Sequence, residues 1–265
     1  MKINRKTLLV GAGLTVFAAT AAIAARQAAP YYEKVAGIWT SQTVIGDAVG
    51  YIDIPTINTR NSTVGWNADF PNNNKFDNYI GGTTWGYDQP FPKTLSYTVK
   101  ARNWTTRNQG SLFFGSYGWS CGAGSNGTED VEFYIANTFF DDNRVPYGTV
   151  RAKNSNGGNL SALSGTEVYD IYVSPQKKQI GGPGEGTACT PVDGQGRAFW
   201  QVWAVRRNNL ELSVDATRTI KFEQIFNVMR TVKPMKTTLK YYGVFVEAGE
   251  GTKGTIRFTD SRTLR

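Results

Sequence analysis

From Gly50 onward the chain is a succession of short apolar runs in which every other residue is hydrophobic, each closed by a cluster of Gly, Asn, Asp or Pro. A period of two gives a segment two distinct faces, which is the pattern of a strand. Regular punctuation between such runs argues for a sandwich of sheets rather than a helix-wrapped parallel sheet. The predicted strands are Gly50–Pro55, Thr94–Lys100, Ser111–Trp119, Val131–Ala136, Val168–Val173, Ala198–Val205, Lys240–Glu247 and Gly254–Thr259. Lys221–Arg230 alone reads as a helix, because Phe222, Ile225, Phe226 and Met229 fall on one face at spacings of three, four and seven. Pro234 is expected to stop it. The Gly- and Pro-rich stretch 178–196 reads as a long loop, a feature that in a compact domain is often functional. The predicted class is therefore all-β: a sandwich of two antiparallel sheets with one short helix.

The first residues read differently. Lys2, Arg5 and Lys6 precede a small, apolar run from Thr7 to Ile23, and Ala22-Ile23-Ala24 has the small-x-small form of a signal-peptidase site. The expected division is a signal peptide over 1–24, a linker over 25–35 and one domain over 36–265. The run is short for a membrane-spanning helix, although an uncleaved anchor is the competing reading. Export carries the chain into an oxidising compartment, where Cys121 and Cys189 are expected to form one disulfide; two buried thiols are the alternative.

The chain contains no histidine, which removes Ser-His-Asp and Cys-His catalysis and histidine-based zinc sites. No metal or cofactor is expected. A general acid or base here is expected to be a carboxylate. The formal charge of +8 is scattered rather than clustered, so a nucleic-acid partner is not expected. A solvated surface or attraction to acidic cell-wall polymers accounts for it as well. Aromatic residues make up 13% of the chain, enough to provide a stacking surface for flat ligands.

Most acidic residues sit in turn clusters. Two do not: Glu132 lies inside Val-Glu-Phe-Tyr-Ile, and Glu247 ends Gly-Val-Phe-Val-Glu. A carboxylate on a buried strand face costs several kcal/mol unless it is paired or functional. Alternation puts Glu132 with Tyr134, and Glu247 with Tyr241 and Phe245. The same alternation also permits each glutamate to point to solvent from a half-exposed strand.

At these residues the chain resembles glycoside hydrolase family 11, the endo-β-1,4-xylanases. The resemblance runs from about Trp39 to Thr259 through Tyr117-Gly-Trp119, Val-Glu132-Phe-Tyr134-Ile, Tyr169-Asp-Ile-Tyr172, Phe-Trp-Gln201-Val-Trp203-Ala-Val-Arg206, the helix around Phe226-Asn227 and the strand from Tyr241 to Glu247. It implies a β-jelly roll with a cleft covered by a thumb loop. It also implies a secreted, retaining, endo-acting enzyme that hydrolyses β-1,4-xylan as a monomer, with Glu132 as nucleophile and Glu247 as acid/base. Tyr117, Trp119, Tyr134, Gln201 and Tyr241 match residues around these glutamates. Trp39 matches a tryptophan that stacks on a sugar. Asn78 matches the neighbour of the acid/base, and an asparagine there goes with a near-neutral pH optimum. The chain departs from the family in the thumb: Gln176 stands where an arginine is usual, the Pro-Ser-Ile tip is missing, and the stretch between Trp119 and Glu132 is longer. A tether between the two cysteines would tie these altered segments together. A non-catalytic carbohydrate-binding jelly roll and a related β-1,4-glucanase are the competing readings.

Overall fold

The computed structural model describes residues 31–35, 38–54, 60–70, 77–106, 111–123, 129–140, 145–146, 148–176, 189, 199–208, 216–249 and 251–264. The expected signal peptide, Glu250 and all of the long loop except Cys189 lie outside them. In chain order the elements are β1 (Tyr31–Val35), β2 (Ile38–Ile45), β3 (Val49–Asp53), β4 (Ser62–Asn67), β5 (Asn78–Pro90), β6 (Thr94–Thr106), β7 (Leu112–Gly122) and β8 (Asp130–Phe140). They continue with β9 (Val150–Arg151), β10 (Ser161–Ser164), β11 (Glu167–Gln176), β12 (Phe199–Arg206), β13 (Ala216–Ile220), α1 (Phe222–Val232), β14 (Met235–Gly249) and β15 (Thr252–Leu264).

The strands form two sheets. The larger runs β1-β2-β5-β14-β7-β8-β12-β11-β10, with β9 also paired to β11; the smaller runs β13-β6-β15-β4-β3. Every pairing is antiparallel except that of β8 with β12, which is parallel. The expectation of two antiparallel sheets is therefore corrected for the larger one. The chain lays down β11 one place further out and turns back, so that β12 fills the gap beside β8 in β8's own direction. The expected linker needs a second correction, since Tyr31–Val35 is a strand paired along its length with β2.

Alternation sorts side chains of the larger sheet to two apolar faces. On β8, Val131, Phe133 and Ile135 enter the core between the sheets, while Tyr134 and Ala136 join a second cluster on the outer, concave face. On β14, Tyr242, Val244 and Val246 face the core, and Tyr241 and Phe245 the concave face. β7 is buried at every residue. The helix closes one end of the core with Phe222, Ile225, Phe226 and Met229, as its periodicity predicts. Phe133 sits edge-on to Phe222 and Phe226, with ring centroids at 5.9 and 5.3 Å. Arg230 in the last helical turn donates from Nε to the Met235 carbonyl at 2.7 Å, favouring that end of the dipole and fixing the turn into β14.

Cys121 at the end of β7 is bonded to Cys189, with Cα atoms 5.4 Å apart and a separation of 68 in sequence. The Cys189 amide also donates to the buried Asp130 carboxylate at 2.7 Å, so one loop residue is fixed to both β7 and β8. Closing a loop of this length restricts the unfolded chain and stabilises by up to about 4 kcal/mol in the chain-entropy picture. The Cys121→Ala/Cys189→Ala double variant should unfold at clearly lower urea concentration than the oxidised parent. Coincident unfolding curves would contradict a stabilising role for the bond.

Candidate active site

The concave face of the larger sheet carries the site. A single register row crosses it: Trp39 on β2, Thr84 on β5, Gly243 on β14, Tyr117 on β7, Tyr134 on β8, Trp203 on β12 and Tyr172 on β11. Trp39 belongs to this face because its neighbour Ile38 enters the core, and it is part-exposed. Trp203 lies flat on Tyr134, with centroids 3.6 Å apart and an interplanar angle of 1°. Tyr117 tilts against Tyr134 at 4.9 Å and Tyr241 at 6.0 Å.

Glu132 lies one register step from this row and is 4% exposed. Tyr117 donates its hydroxyl to Oε1 at 2.7 Å, and Gln201 donates Nε2–H to Oε2 at 2.7 Å. Behind Tyr117, Trp119 donates its indole N–H to the Tyr117 hydroxyl at 2.7 Å, which frees the phenolic proton to point at Glu132. Glu247 is held by Asn78, whose Nδ2 donates to Oε1 at 2.8 Å. Each residue of these chains sits on a different strand or at a two-residue offset, which is how a pleated face gathers groups distant in sequence.

In register, Glu132 lies opposite Trp119 and Glu247 opposite Phe113. These positions are six residues apart on β7 (119 − 113), or about 20 Å on a flat strand. The curl of the sheet brings the two carboxyl groups into electrostatic reach: the charge of Glu247 raises the Glu132 pKa, and the Tyr134 hydroxyl interacts with both.

Burial is the larger cause of the shift. It lifts Glu132 from 4.5 to about 7, with the charge of Glu247 adding to it and hydrogen bonds from Tyr117, Gln201 and Tyr134 working against it. Burial also raises Glu247, opposed by Asn78 and Tyr134. Two carboxyl groups in one dry site hold a single negative charge more readily than two. Tyr134, held protonated by burial and by the two acidic neighbours, has one hydroxyl proton. It donates to one carboxylate and can accept from the other only when that other is protonated. Glu132 has the richer set of fixed donors, from Tyr117 and Gln201, and Glu247 has Asn78.

The structure thus brings Asn78, Tyr117, Trp119, Tyr134, Gln201 and both glutamates into one hydrogen-bonded group. It places Tyr241 on the same face beside Tyr117 and Phe245, and Trp39 further along the row. The sequence reading named Phe245 and Trp203 but gave neither a role in the site. Phe245 is fully buried on the concave face between Tyr241 and Glu247, edge-on to Tyr117 at 4.9 Å. Its ring occupies the space above Gly82 and Gly243, where a Cβ would come within 2.8 and 2.7 Å of it. The available signal was its parity with Glu247. Among the described residues no group of three or more His, Cys, Asp or Glu could hold a metal, and no helix is long and apolar enough to cross a membrane.

The two-sheet jelly-roll fold of this chain is shared by solved structures of family 11 xylanases. The family 11 xylanase from Neocallimastix patriciarum aligns over 89% of this chain and 95% of its own, at 16% identity and a TM-score of 0.59. A loop-swap mutant of Xyn11A from the same organism aligns over 88% and 94%, at 17% identity and 0.59. A structure from a comparison of two major endo-1,4-β-xylanases of Trichoderma reesei aligns over 83% of this chain and all of its own, at 18% identity and 0.53. No protein-family model and no curated sequence matches the chain.

The raised Glu132 pKa makes a stability prediction. Between pH 4.5 and about 7 the folded protein retains a proton that an unfolded chain releases. The contribution is complete below 4.5 and is lost as the pH rises through 7, at about 1.4 kcal/mol per pH unit for one proton. Urea denaturation across this range should show the parent losing stability relative to Glu132→Gln as the pH increases. Parallel profiles would contradict a shared, buried proton.

Proposed function

We propose that the chain is a divergent family 11 glycosidase that hydrolyses β-1,4-xylan with retention of anomeric configuration. The observation that carries this reading is the buried pair in unlike hydrogen-bonding surroundings: Glu132 takes short donors from Tyr117 and Gln201, Glu247 takes one from Asn78, Tyr134 reaches both, and burial raises both carboxyl groups. Two chemically identical side chains in different environments can hold the opposite protonation states that acid and nucleophile require. A protein that only bound sugars would need the aromatic rings alone, so the carboxyl pair favours the enzyme over the carbohydrate-binding reading.

In the proposed mechanism the substrate crosses the concave face, with Trp39 stacking on a sugar ring and the other aromatic side chains of the cleft framing the site. The Glu132 carboxylate attacks the anomeric carbon as Glu247 gives its proton to the departing glycosidic oxygen. A glycosyl ester forms on Glu132 and the C–O bond breaks. The charge on Glu132 disappears in that step, so its repulsion of a negative Glu247 disappears with it. Glu247, now a carboxylate, takes a proton from water as the water attacks the ester, and Glu132 leaves as the anion. Tyr117 and Gln201 hold the Glu132 carboxylate in the orientation needed for attack. Asn78 remains neutral throughout and fixes Glu247, which suits a near-neutral pH optimum. Export through the N-terminal segment and action as a secreted monomer belong to the same proposal; a β-1,4-glucan is the nearest alternative substrate.

Glu132→Gln should abolish release of reducing sugar from xylan while the protein keeps its fold. Glu247→Ala should lower xylan turnover by about 10² to 10⁴, and far less on an aryl xyloside whose leaving group needs no proton. Xylan hydrolysis at the parent rate by Glu132→Gln would overturn the assignment, and a faster reaction on carboxymethylcellulose than on xylan would move the substrate to glucan.

A further inference from the structure

The aromatic row of the concave face does not end in an apolar edge. Its last partner in register is Arg151 on β9, opposite Tyr172. The Arg151 guanidinium lies over the Tyr172 ring at 5.2 Å from the centroid. Asp170, two residues from Tyr172 and on the same face of β11, accepts from Arg151 at 2.5 Å and from Arg207 at 2.7 Å, and from the Ser161 hydroxyl at 3.1 Å. Among the described residues, two guanidinium groups thus share one carboxylate, a local excess of positive charge at this end of the cleft. Arg206, the intervening residue, points to the other face and is paired with Glu167 at 2.6 Å. Arg207 is 54% exposed and Arg151 21%, so the unshared charge is open to solvent.

We propose that Arg151 and Arg207 form a subsite for a carboxylate-bearing sugar, a uronic acid carried by the polysaccharide that occupies the cleft. This rests on the glycosidase reading for its place on a polymer, though not for its chemistry. Arg151 lies three strand spacings from Tyr134, or about 14 Å, far enough from the carboxyl pair to meet a different unit of the same chain. A planar guanidinium offers a carboxylate two parallel N–H donors, and Asp170 holds both arginines in place without neutralising both. A clamp that served only to join β9, β10 and β12 would need one arginine on the aspartate. The second, Arg207, also bonds Asp170 through Nε at 3.2 Å and reaches the Ser161 hydroxyl at 3.3 Å, yet it stays 54% exposed. A pure solvent-exposed contact is weak, so its effect should be a few-fold and sensitive to salt.

The test compares the parent, Arg207→Ala and Arg207→Lys on glucuronoxylan and on a xylan without uronic acids. Arg207→Ala should lower kcat/KM on glucuronoxylan about two- to fivefold at low salt, with the loss vanishing at high salt, and should leave the neutral substrate unchanged. Arg207→Lys should keep part of the preference. An equal loss on both substrates, or none on either, overturns the subsite. If the parent cleaves neither polymer, the hydrolase reading has failed on its own account. Calorimetric titration with a xylo-oligosaccharide bearing one glucuronic acid then decides the subsite: tighter binding by the parent than by Arg207→Ala supports it, and equal binding overturns it.

Discussion

The larger sheet is apolar on both faces, and the rest of the molecule follows from that. One face is covered by the smaller sheet and α1. The other has no second layer of secondary structure among the described residues and is lined by large side chains lying along it, with Tyr134 and Trp203 stacked and Phe113, Tyr117 and Phe245 wedged beside them. A polar atom on such a face has little water to rely on and must be satisfied by its neighbours. The hydrogen bonds from Trp119 to Tyr117 to Glu132, from Gln201 to Glu132 and from Asn78 to Glu247 meet this requirement in part. What they leave unmet is one of the two negative charges, so the site retains a proton.

The curvature that closes this face depends on small residues as much as on large ones. At Gly82 and Gly243 a Cβ would approach the backbone oxygens of Val244 and Thr83, and the ring of Phe245 besides. β5 and β14 can therefore lie close under that ring only because both positions are glycine. A bulge between Tyr241 and Gly243 in β14, and another between Phe114 and Gly115 in the neighbouring β7, increase the local twist. Glycines, bulges and the buried phenyl ring together draw two glutamates six residues apart in register towards each other.

Much of this was legible in the sequence because it is written locally. The helix was marked by Phe222, Ile225, Phe226 and Met229, and the two glutamates by being carboxylates inside apolar strands. Alternation left it open whether those glutamates faced solvent; the resemblance to xylanases resolved it, and also supplied Asn78, Tyr117 and Gln201, whose partners lie 169, 15 and 69 residues away. Other features depend on pairing partners that no local pattern names. β1 was read as linker because the five residues between Pro30 and Ala36-Gly37 gain strand character only from pairing with β2. The parallel pairing of β8 with β12 follows from where β11 is laid. Alternation put Phe245 on the face of Glu247, but its place over Gly82 and Gly243 and the bond from Arg207 to Asp170 depend on strands distant in sequence.

The claim that Glu132 attacks and Glu247 shuttles the proton is tested most directly by the configuration of the first product. Proton NMR of xylo-oligosaccharide hydrolysis, followed before mutarotation, should show the β-anomer appearing first, as a glycosyl ester on Glu132 requires. First appearance of the α-anomer would mean that water attacks directly and that Glu132 is not the nucleophile.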